Sequence, residues 1–410
     1  MDLREAAKTA LGLASELGAE EIGLESALDR VTATDINAER DIPAEYRSRW
    51  DGFALRSADT AGASPEVPAF LDIAAGFIGA GDTTPVAADG GKCFRIMTGA
   101  VLPEGADAVI PFEDAAQRGE RLVMSEPALP RQGVIFPGAD AGAGDLLLRR
   151  GDLLTPTRLA LAAGMGIGRI KVRVRPRVAI LATGDELLET GRHSTGPVIF
   201  CNNIHLLAAL VAVRGGEPLL LGIAPDDPDA IFARLDTVRA DLIITTGGMG
   251  RGSRDFIREV WRRLGVSTHF DSLNLSPGKG SALGSMEGRI FLGLPGNPWA
   301  SRIVFGEIAA PVIARMQGIA GPFTLEAQTT AALKKKKGLY RAFYGSLEMA
   351  GEGVSFAPMR QSPHEAYLPL MRSCPVYTIL GPEQTGVKEG DKVEVRVPDF
   401  PLGAWAVLKA

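Results

Sequence analysis

With 410 residues, 46% of them hydrophobic and 23% charged, the chain reads as an ordinary globular protein of about two to four domains. A net charge of −5 leaves no basic field, so nucleic acid is not an expected partner, and any anionic ligand has to be held by local groups. No apolar run approaches the roughly 18 residues of a membrane span, so no membrane association is expected. Cys93, Cys201 and Cys374 are scattered and odd in number, which fits a reducing, cytoplasmic setting rather than a disulfide framework or a zinc site.

In chain order, "MDLREAAKTALGLASEL" is amphipathic with early acidic residues and predicts a helix rather than a signal peptide. Residues 1–44 read as mostly helical, with Leu11, Leu13, Leu17 and Leu24 in a loose stripe. From 45 to 139 the chain turns rich in Gly, Pro and Ala, with short β-like pieces such as "KCFRIMTGA", and predicts an inserted β domain. Residues 140–176 return to a helical pattern in "TPTRLALAAGMG" and a basic strand, "IKVRVRPRV", so that 1–44 and 140–176 form one helical/mixed domain. Over 177–320, strands such as "RVAILATGDE", "EPLLLGIAPDD", "DLIITTGG" and "RIFLGLPGN" alternate with helical segments. That alternation predicts a doubly wound α/β domain on a largely parallel sheet, closed by one long helix, "PWASRIVFGEIAAPVIARMQG". The last part, 321–410, alternates in "VYTIL" and "DKVEVRV" and predicts a C-terminal β-barrel or sandwich, with Lys334–Lys337 as a solvated turn. The fold class is therefore multidomain, α/β plus β.

The residues with chemical potential follow the strand ends. The strands run into Thr183-Gly184-Asp185-Glu186, Pro225-Asp226-Asp227, Thr246-Gly247-Gly248 and Leu294-Pro295-Gly296-Asn297-Pro298, and Asp255 opens the helix after the third. In a doubly wound sheet, ligands bind outside these carboxyl ends. Glycine lets backbone approach a ligand closely, and helix N-termini offer unpaired N–H groups to anions. Asp185, Glu186, Asp227 and Asp255 would gather carboxylates there, which beside an anion implies a hard cation such as Mg²⁺ bridging to phosphate. Each turn alone also reads as an ordinary tight βα connection, and each acid as a helix-dipole partner. Their convergence carries the functional reading. "SLNLSPGKGSALG" adds Ser276-Pro277-Gly278-Lys279, either a phosphate-contacting turn or a plain hairpin, and not a Walker A loop. Asp51 beside Gly52, Thr98-Gly99 and Asp140 read on composition as turns.

Taken in order, "WDGFALR", "TGAVLPEGADAVIP", "TGDEL", "TTGGMGRGSRDF", "SPGKG" and "LPGNP" resemble the molybdopterin molybdenumtransferases, the bacterial MoeA and gephyrin E-domain family, over nearly the whole chain. The resemblance implies an elongated homodimer of four-domain subunits, with the active cleft between the α/β domain of one subunit and the helical/β region of its partner. It implies insertion of molybdate into adenylylated molybdopterin with release of AMP, helped by a divalent cation, Mg²⁺. It also implies a molybdopterin adenylyltransferase and a downstream molybdoenzyme or its chaperone as partners.

Carried over by motif, Asp51, Thr98, Asp140, Glu186 and Asp255 take catalytic positions. Thr183, Gly184, Asp185, Gly247, Gly248, Arg254, Ser276, Pro277, Gly278, Lys279, Pro295, Gly296, Asn297 and Pro298 take pterin- or AMP-binding positions. Glu186, Asp227 and Asp255 take metal positions. The chain departs from the family pattern at Ser276, which stands for a lysine, and at Ile135 or Phe136 and Tyr344, which stand where arginines are expected; Trp50 replaces a methionine. Ser362 is the nearest equivalent of a C-terminal Gly-Ser turn. The lost cations leave open a non-catalytic molybdopterin or cofactor carrier. The wording "TTGGMG…RD" leaves open an adenylyltransferase-like activity. Arg251 and Arg254 would offset the charge lost at Ser276.

Overall fold

The computed structural model describes residues 1–82, 86–249, 256–319, 324–350, 353–359, 371–372 and 375–400. The chain divides into two compact units, Met1–Thr34 with Arg150–Ala160 and Ile167–Ala410, and Asp35–Arg149 with Leu161–Gly166.

In the first unit, the alternating pattern becomes β1 (Arg177–Thr183), α1 (Asn203–Val213), β2 (Glu217–Ala224), α2 (Pro228–Asp236), β3 (Leu242–Thr246), α3 (Ile257–Leu264), β4 (Ser267–Phe270), β5 (Ala282–Met286), β6 (Arg289–Leu294) and α4 (Pro298–Val304). The sheet order is β2-β1-β3-β6-β5-β4. The first four strands are parallel, and β5 runs antiparallel to both of its neighbours. Val178, Ile180 and Ala182 pack on the side of α1 and α4, whereas Ala179 and Leu181 pack on the side of α2 and α3. Burial on both faces is why "VAILA" is an unbroken apolar run rather than an alternating one.

The strands β4 and β5 were not expected. The β5–β6 turn uses Glu287 (φ 50°) and Gly288 (φ 78°) at positive φ, and Glu-Gly is not among the pairs that announce such a hairpin. The helices carry plain local signals. Asp227 caps α2 by accepting from the Ala230 N–H (2.7 Å), and Asn297 caps α4 by accepting from the Trp299 N–H (2.9 Å), each followed by proline at the first helical position. Gly265 ends α3 in the left-handed conformation. The expected long closing helix is interrupted. After α4 come a π-turn, Phe305–Ala309, and then α5 (Ala310–Met316). Pro311 has no N–H to give the Glu307 carbonyl, so the regular ladder cannot run through this point.

The N-terminal helix, Leu3–Leu13, is capped by Asp2, which accepts from the Arg4 N–H (2.9 Å). It buries Leu3, Ala6 and Ala10, not the leucine stripe; Leu11 is exposed, and small alanines let the helix lie close to its neighbours. Leu17 and Leu24 fall beyond it, because Ala19–Gly23 departs as a strand that pairs with Arg169–Arg173. At the C-terminal end, Tyr340–Ala350, Gly353–Pro358, Thr324–Thr329, Lys392–Arg396 and Val376–Leu380 pair in a ring, giving the expected barrel, closed with five strands. Phe356, Val376, Val393 and Val395 fill it.

The second unit is built on a six-stranded sheet in the order Ala108–Pro111, Gly52–Leu55, Lys92–Ile96, Ala69–Ile73, Arg121–Met124, Ala116–Arg118. Its edges lie outside 45 and 139 because Ile36–Asn37 pairs with Leu146–Leu148, a ladder too short to show in the sequence pattern.

Candidate functional site

In the α/β sheet the chain goes from β1 outward to β2, then returns past β1 to β3. The crevice between the carboxyl ends of β1 and β3 is thus the point where strand order reverses, the place a doubly wound sheet leaves open for a ligand. Register brings the strand ends level: Ala182 pairs with Thr246, Thr246 with Leu294, and Thr183 with Ala224. A cleft of about 790 Å³ opens over them. Of the residues expected from sequence, Thr183, Gly184, Glu186, Gly247, Gly248, Pro295, Gly296, Asn297 and Pro298 line it together.

The floor has no room for side chains. Gly247 has φ +90°, and a Cβ there would lie 2.3 Å from the Thr183 carbonyl oxygen. Gly248 has φ +60°, and its Cβ would lie 2.9 Å from Thr183 Oγ1. Both conformation and space therefore require glycine. One buried residue absent from the sequence expectations, Asn203, ties this floor together. Its Nδ2 donates to Thr246 Oγ1 (2.8 Å) and to the Gly296 carbonyl (2.8 Å). Thr246 Oγ1 in turn donates to the Pro295 carbonyl (3.1 Å), which also accepts from Ser301 Oγ. The end of β3, the start of α1 and the turn before α4 are thus one neutral network. Two buried atoms at the cleft, Thr183 Oγ1 and Asn203 Oδ1, have no hydrogen-bond partner within the described protein.

The rim is half apolar and half acidic. Ile199–Phe200 pairs with Leu187–Leu188 as a two-residue ladder, leaving Ile199 and Phe200 60% and 52% exposed against the cleft. Glu186, whose carbonyl accepts from the Ile199 N–H (2.8 Å), and Asp226 contribute carboxylates to the same cleft. Asp226 is held reciprocally with Asp185: the Asp226 N–H donates to Asp185 Oδ1 (3.0 Å), and the Asp185 N–H to Asp226 Oδ2 (3.5 Å). Cys201 also lines the cleft; burial raises its pKa above the usual thiol value, offset in part by the Ile204 and Asn203 N–H groups, so it is a neutral thiol.

The remaining expectations fall elsewhere. Asp227 caps α2, and its neighbour Asp226 faces the cleft instead. Ser276 sits in a two-residue strand, Leu275–Ser276, that pairs with Tyr340 and Arg341 of the barrel. Pro277 and Gly278 continue that turn, with Gly278 buried; Lys279 is exposed beside Gly280, the residue of the turn that lines the cleft. Arg251, Arg254, Asp255 and Ser362 lie outside the described residues. Among the described residues, no three His, Cys, Asp or Glu side chains lie close enough together to hold a metal ion.

The second unit holds Asp51, Thr98 and Asp140. Asp51 Oδ1 accepts from both the Thr98 N–H (2.6 Å) and Thr98 Oγ1 (2.7 Å). These two bonds, backbone first, hold the Asp51 carboxyl below the usual carboxylate range. Gly52 is required next to it, because a Cβ there would lie 2.0 Å from the Ile110 carbonyl oxygen. Asp140 is exposed, and its N–H donates to the Ile42 carbonyl (2.9 Å). Phe136, standing where an arginine is expected, carries the Arg131 guanidinium over its ring at 5.2 Å. Tyr344 of the first unit is buried and packs on Trp299 of α4, with ring centroids 4.3 Å apart.

Sequence reasoning passed over Asn203 and the Ile199–Phe200 pair, and named Asp226 at its strand end while giving the site role to Asp227. The signals were present but ambiguous. Asn202-Asn203 ahead of an apolar helix reads as a cap, and in an Asp-Asp pair before a proline only the structure separates the cap from the cleft residue.

These features define a class: a multidomain protein whose doubly wound α/β domain presents a glycine-floored, acid-rimmed ligand cleft at its topological switch point. Comparison with known proteins narrows it. Residues 1–166 match the family described as "MoeA N-terminal region (domain I and II)", and 179–315 match "Probable molybdopterin binding domain". The chain is 32% identical over 399 residues to a molybdopterin molybdenumtransferase of Haemophilus influenzae, covering 94% of this chain and 95% of that one. It is 34% identical over 313 residues to one from Nostoc sp., covering 75% and 72%. A crystal structure of the molybdopterin biosynthesis MoeA protein from Pyrococcus horikosii superposes with a TM-score of 0.86 at 27% identity, over 97% of this chain and 99% of that one. The chain belongs to the molybdopterin molybdenumtransferase family.

Proposed function

We propose that the protein is a transferase of molybdenum cofactor biosynthesis that inserts molybdate into adenylylated molybdopterin and releases AMP. Family membership supports the reaction. The observation that carries it to this chain is the cleft at the β1/β3 switch point, whose floor admits only backbone and whose volume of about 790 Å³ is in the range of small-molecule sites.

The geometry supports a division of labour. Gly247 and Gly248 let a ligand lie against the strand ends, and the Asn203–Thr246–Pro295 network keeps those ends in register. The turn before α4 and the exposed Lys279 beside Gly280 would face the phosphate groups, the lysine offsetting charge. Mg²⁺ usually takes one or two carboxylates together with substrate phosphate oxygens. Glu186 and Asp226 fit that demand at the rim, where they would hold the cation jointly with substrate. When bound, it supplies charge neutralisation at the phosphoanhydride. Asp255, next to the third strand end in sequence, is a candidate for orienting water or the cation. Asp227 has Oδ1 committed to its cap, which leaves it the weaker candidate.

Asp51, Thr98 and Asp140 are assigned catalytic positions on their motif match. The Asp51–Thr98 pair supports this for the first two, because a carboxylate held ionised and oriented by two donors is a prepared group. A homodimer, Asp51-bearing units included, is part of the same reading, and light scattering of the purified protein tests it. The decisive experiment combines purified protein, Mg²⁺, molybdate and adenylylated molybdopterin. AMP and active cofactor are expected; no AMP above background overturns the assignment, and tight cofactor binding without AMP release makes the protein a carrier.

A further inference from the structure

The helices α1 and α4 pack on the same face of the sheet, and each begins at the cleft: α1 opens with Asn203, and α4 follows directly on Gly296 and Asn297. Toward their other ends both are held by one stretch of chain, residues 397–400, which follows the barrel strand Lys392–Arg396. Arg214, the residue that closes α1, donates through Nη2 to the Pro398 carbonyl (3.2 Å) and to the Val397 carbonyl (3.4 Å). Arg302, in the second turn of α4, meets Asp399 with two nitrogens, Nε to Oδ1 at 3.3 Å and Nη2 to Oδ2 at 2.9 Å. Its Nη2 also donates to the Pro375 carbonyl, and its guanidinium lies over the Trp299 ring, 5.4 Å from the centroid. Both arginines are buried, at 6% and 3% exposure. Burial pushes the Arg214 guanidinium down to about 10, with Tyr377 and Asp399 opposing the shift, so Asp399 acts on both arginines. Apolar side chains would dock a segment with less desolvation; directed, charge-assisted bonds instead impose one geometry.

We infer that Arg214 and Arg302 are positioning residues: gripping residues 397–400 together, they clamp α1 to α4 and so fix where Asn203 and the Gly296–Asn297 turn stand in the floor of the cleft. Neither arginine lines the cleft. The reach is short. With 11 and seven residues, α1 and α4 are roughly 16 and 10 Å long, and a helix of that length moves as one body. The floor has little slack, because both Asn203 donations, to Thr246 and to Gly296, are already at 2.8 Å, and a shift of about an ångström would break them. The kinetic consequence of the clamp rests on the function proposed above, to which it adds a part for the end of the C-terminal domain.

The test uses the full-length protein and Asp399→Ala, since the Asp399 side chain is half exposed and lies outside the cleft. Asp399→Glu is the conservative rescue. Lys392→Ala is the control, because it breaks a surface ion pair with Glu326 on the same barrel. AMP release from adenylylated molybdopterin is followed at saturating Mg²⁺, well below every melting temperature. Asp399→Ala should raise KM at least about fivefold, Asp399→Glu should recover most of that loss, and Lys392→Ala should change nothing. In a Thr246→Val background, where the floor network is already cut, Asp399→Ala should raise KM no more than about twofold. Hydrogen exchange should quicken about tenfold in the first turns of α1 and α4, a change that simple docking of the barrel would not produce. If Asp399→Ala does not fold, Arg302→Lys, which keeps the charge and loses the fork, carries the same readings. An unchanged KM, an equal rise in the Thr246→Val background, or the same rise in Lys392→Ala overturns the inference while the proposed reaction stands. A wild-type protein that releases no AMP removes the proposed reaction, and exchange then decides alone: faster first turns in Asp399→Ala uphold the clamp, and unchanged ones overturn it.

Discussion

At the cleft of the α/β domain, the groups nearest the strand ends are buried and neutral. Asn203, Thr246 and the Pro295 and Gly296 carbonyls hold one another without a charge among them. In the inserted unit, Asp51 is exposed and works through its charge, taking two short hydrogen bonds from Thr98. The first arrangement depends on exclusion of water and on shape, the second on ionisation. The two should answer to different perturbations: the cleft to steric changes and lost hydroxyls at any pH, the Asp51 turn to acid.

The largest effect is expected from the floor. Gly247→Ala puts a Cβ 2.3 Å from the Thr183 carbonyl at a backbone angle that disfavours it. It should cost about 2–4 kcal/mol of stability and reduce AMP release by at least about a hundredfold. Calorimetry and the AMP assay read both, and a variant resembling wild type would show that the floor is looser than described. Next comes the rim. Glu186→Gln and Asp226→Asn should each raise the half-saturating Mg²⁺ concentration about tenfold, and chelation should stop AMP release in every variant. An unshifted Mg²⁺ titration would take the cation away from these carboxylates.

A smaller effect is expected from Thr246→Val, which removes the central hydroxyl of the network and should cost about 1–2 kcal/mol. Because none of its partners titrates, the loss should be equal at acid and neutral pH, which thermal unfolding across pH will read. Asp51→Asn is the counterpart. The folded-state pKa of Asp51 is lowered, so the stabilisation is present above the ordinary carboxylate pKa and is lost as pH falls through the lowered value. The gap in melting temperature between wild type and Asp51→Asn should be constant near neutrality and close in acid. A gap that persists in acid would show that Thr98 holds the turn without the charge.

Much of this was legible in the sequence where the determinants are local. The strands of the α/β domain, the helix start at "LPGNP" and the barrel strands "VYTIL" and "DKVEVRV" follow from runs, alternation and turn residues. The convergence of Thr183, Gly247, Gly248 and Pro295 also followed, since parallel strands must end on one edge. What escaped depends on distant partners. The strand Ala19–Gly23 exists because Arg169–Arg173 lies beside it, and the pairing of Ser276 with Arg341 has no trace in "SPGKG". The break in the closing helix was within reach, because Pro311 stands in the sequence; its strong helical periodicity on either side hid it. Asn203 went unremarked because an amide ahead of an apolar helix serves a cap as readily as a buried network, and only its neighbours tell them apart.

The side-chain-free floor has a consequence for how such a site can change over generations. Where a wall is made of backbone, point mutation offers almost no intermediate variants: any residue larger than glycine at Gly247 meets the Thr183 carbonyl at once. New preferences for ligand must therefore arise at positions that do have side chains to vary, such as Phe200, Ile199 and Asp226, while the floor passes unaltered from one specificity to the next. Divergent members of the family should thus differ most at the rim of this cleft and least at its base.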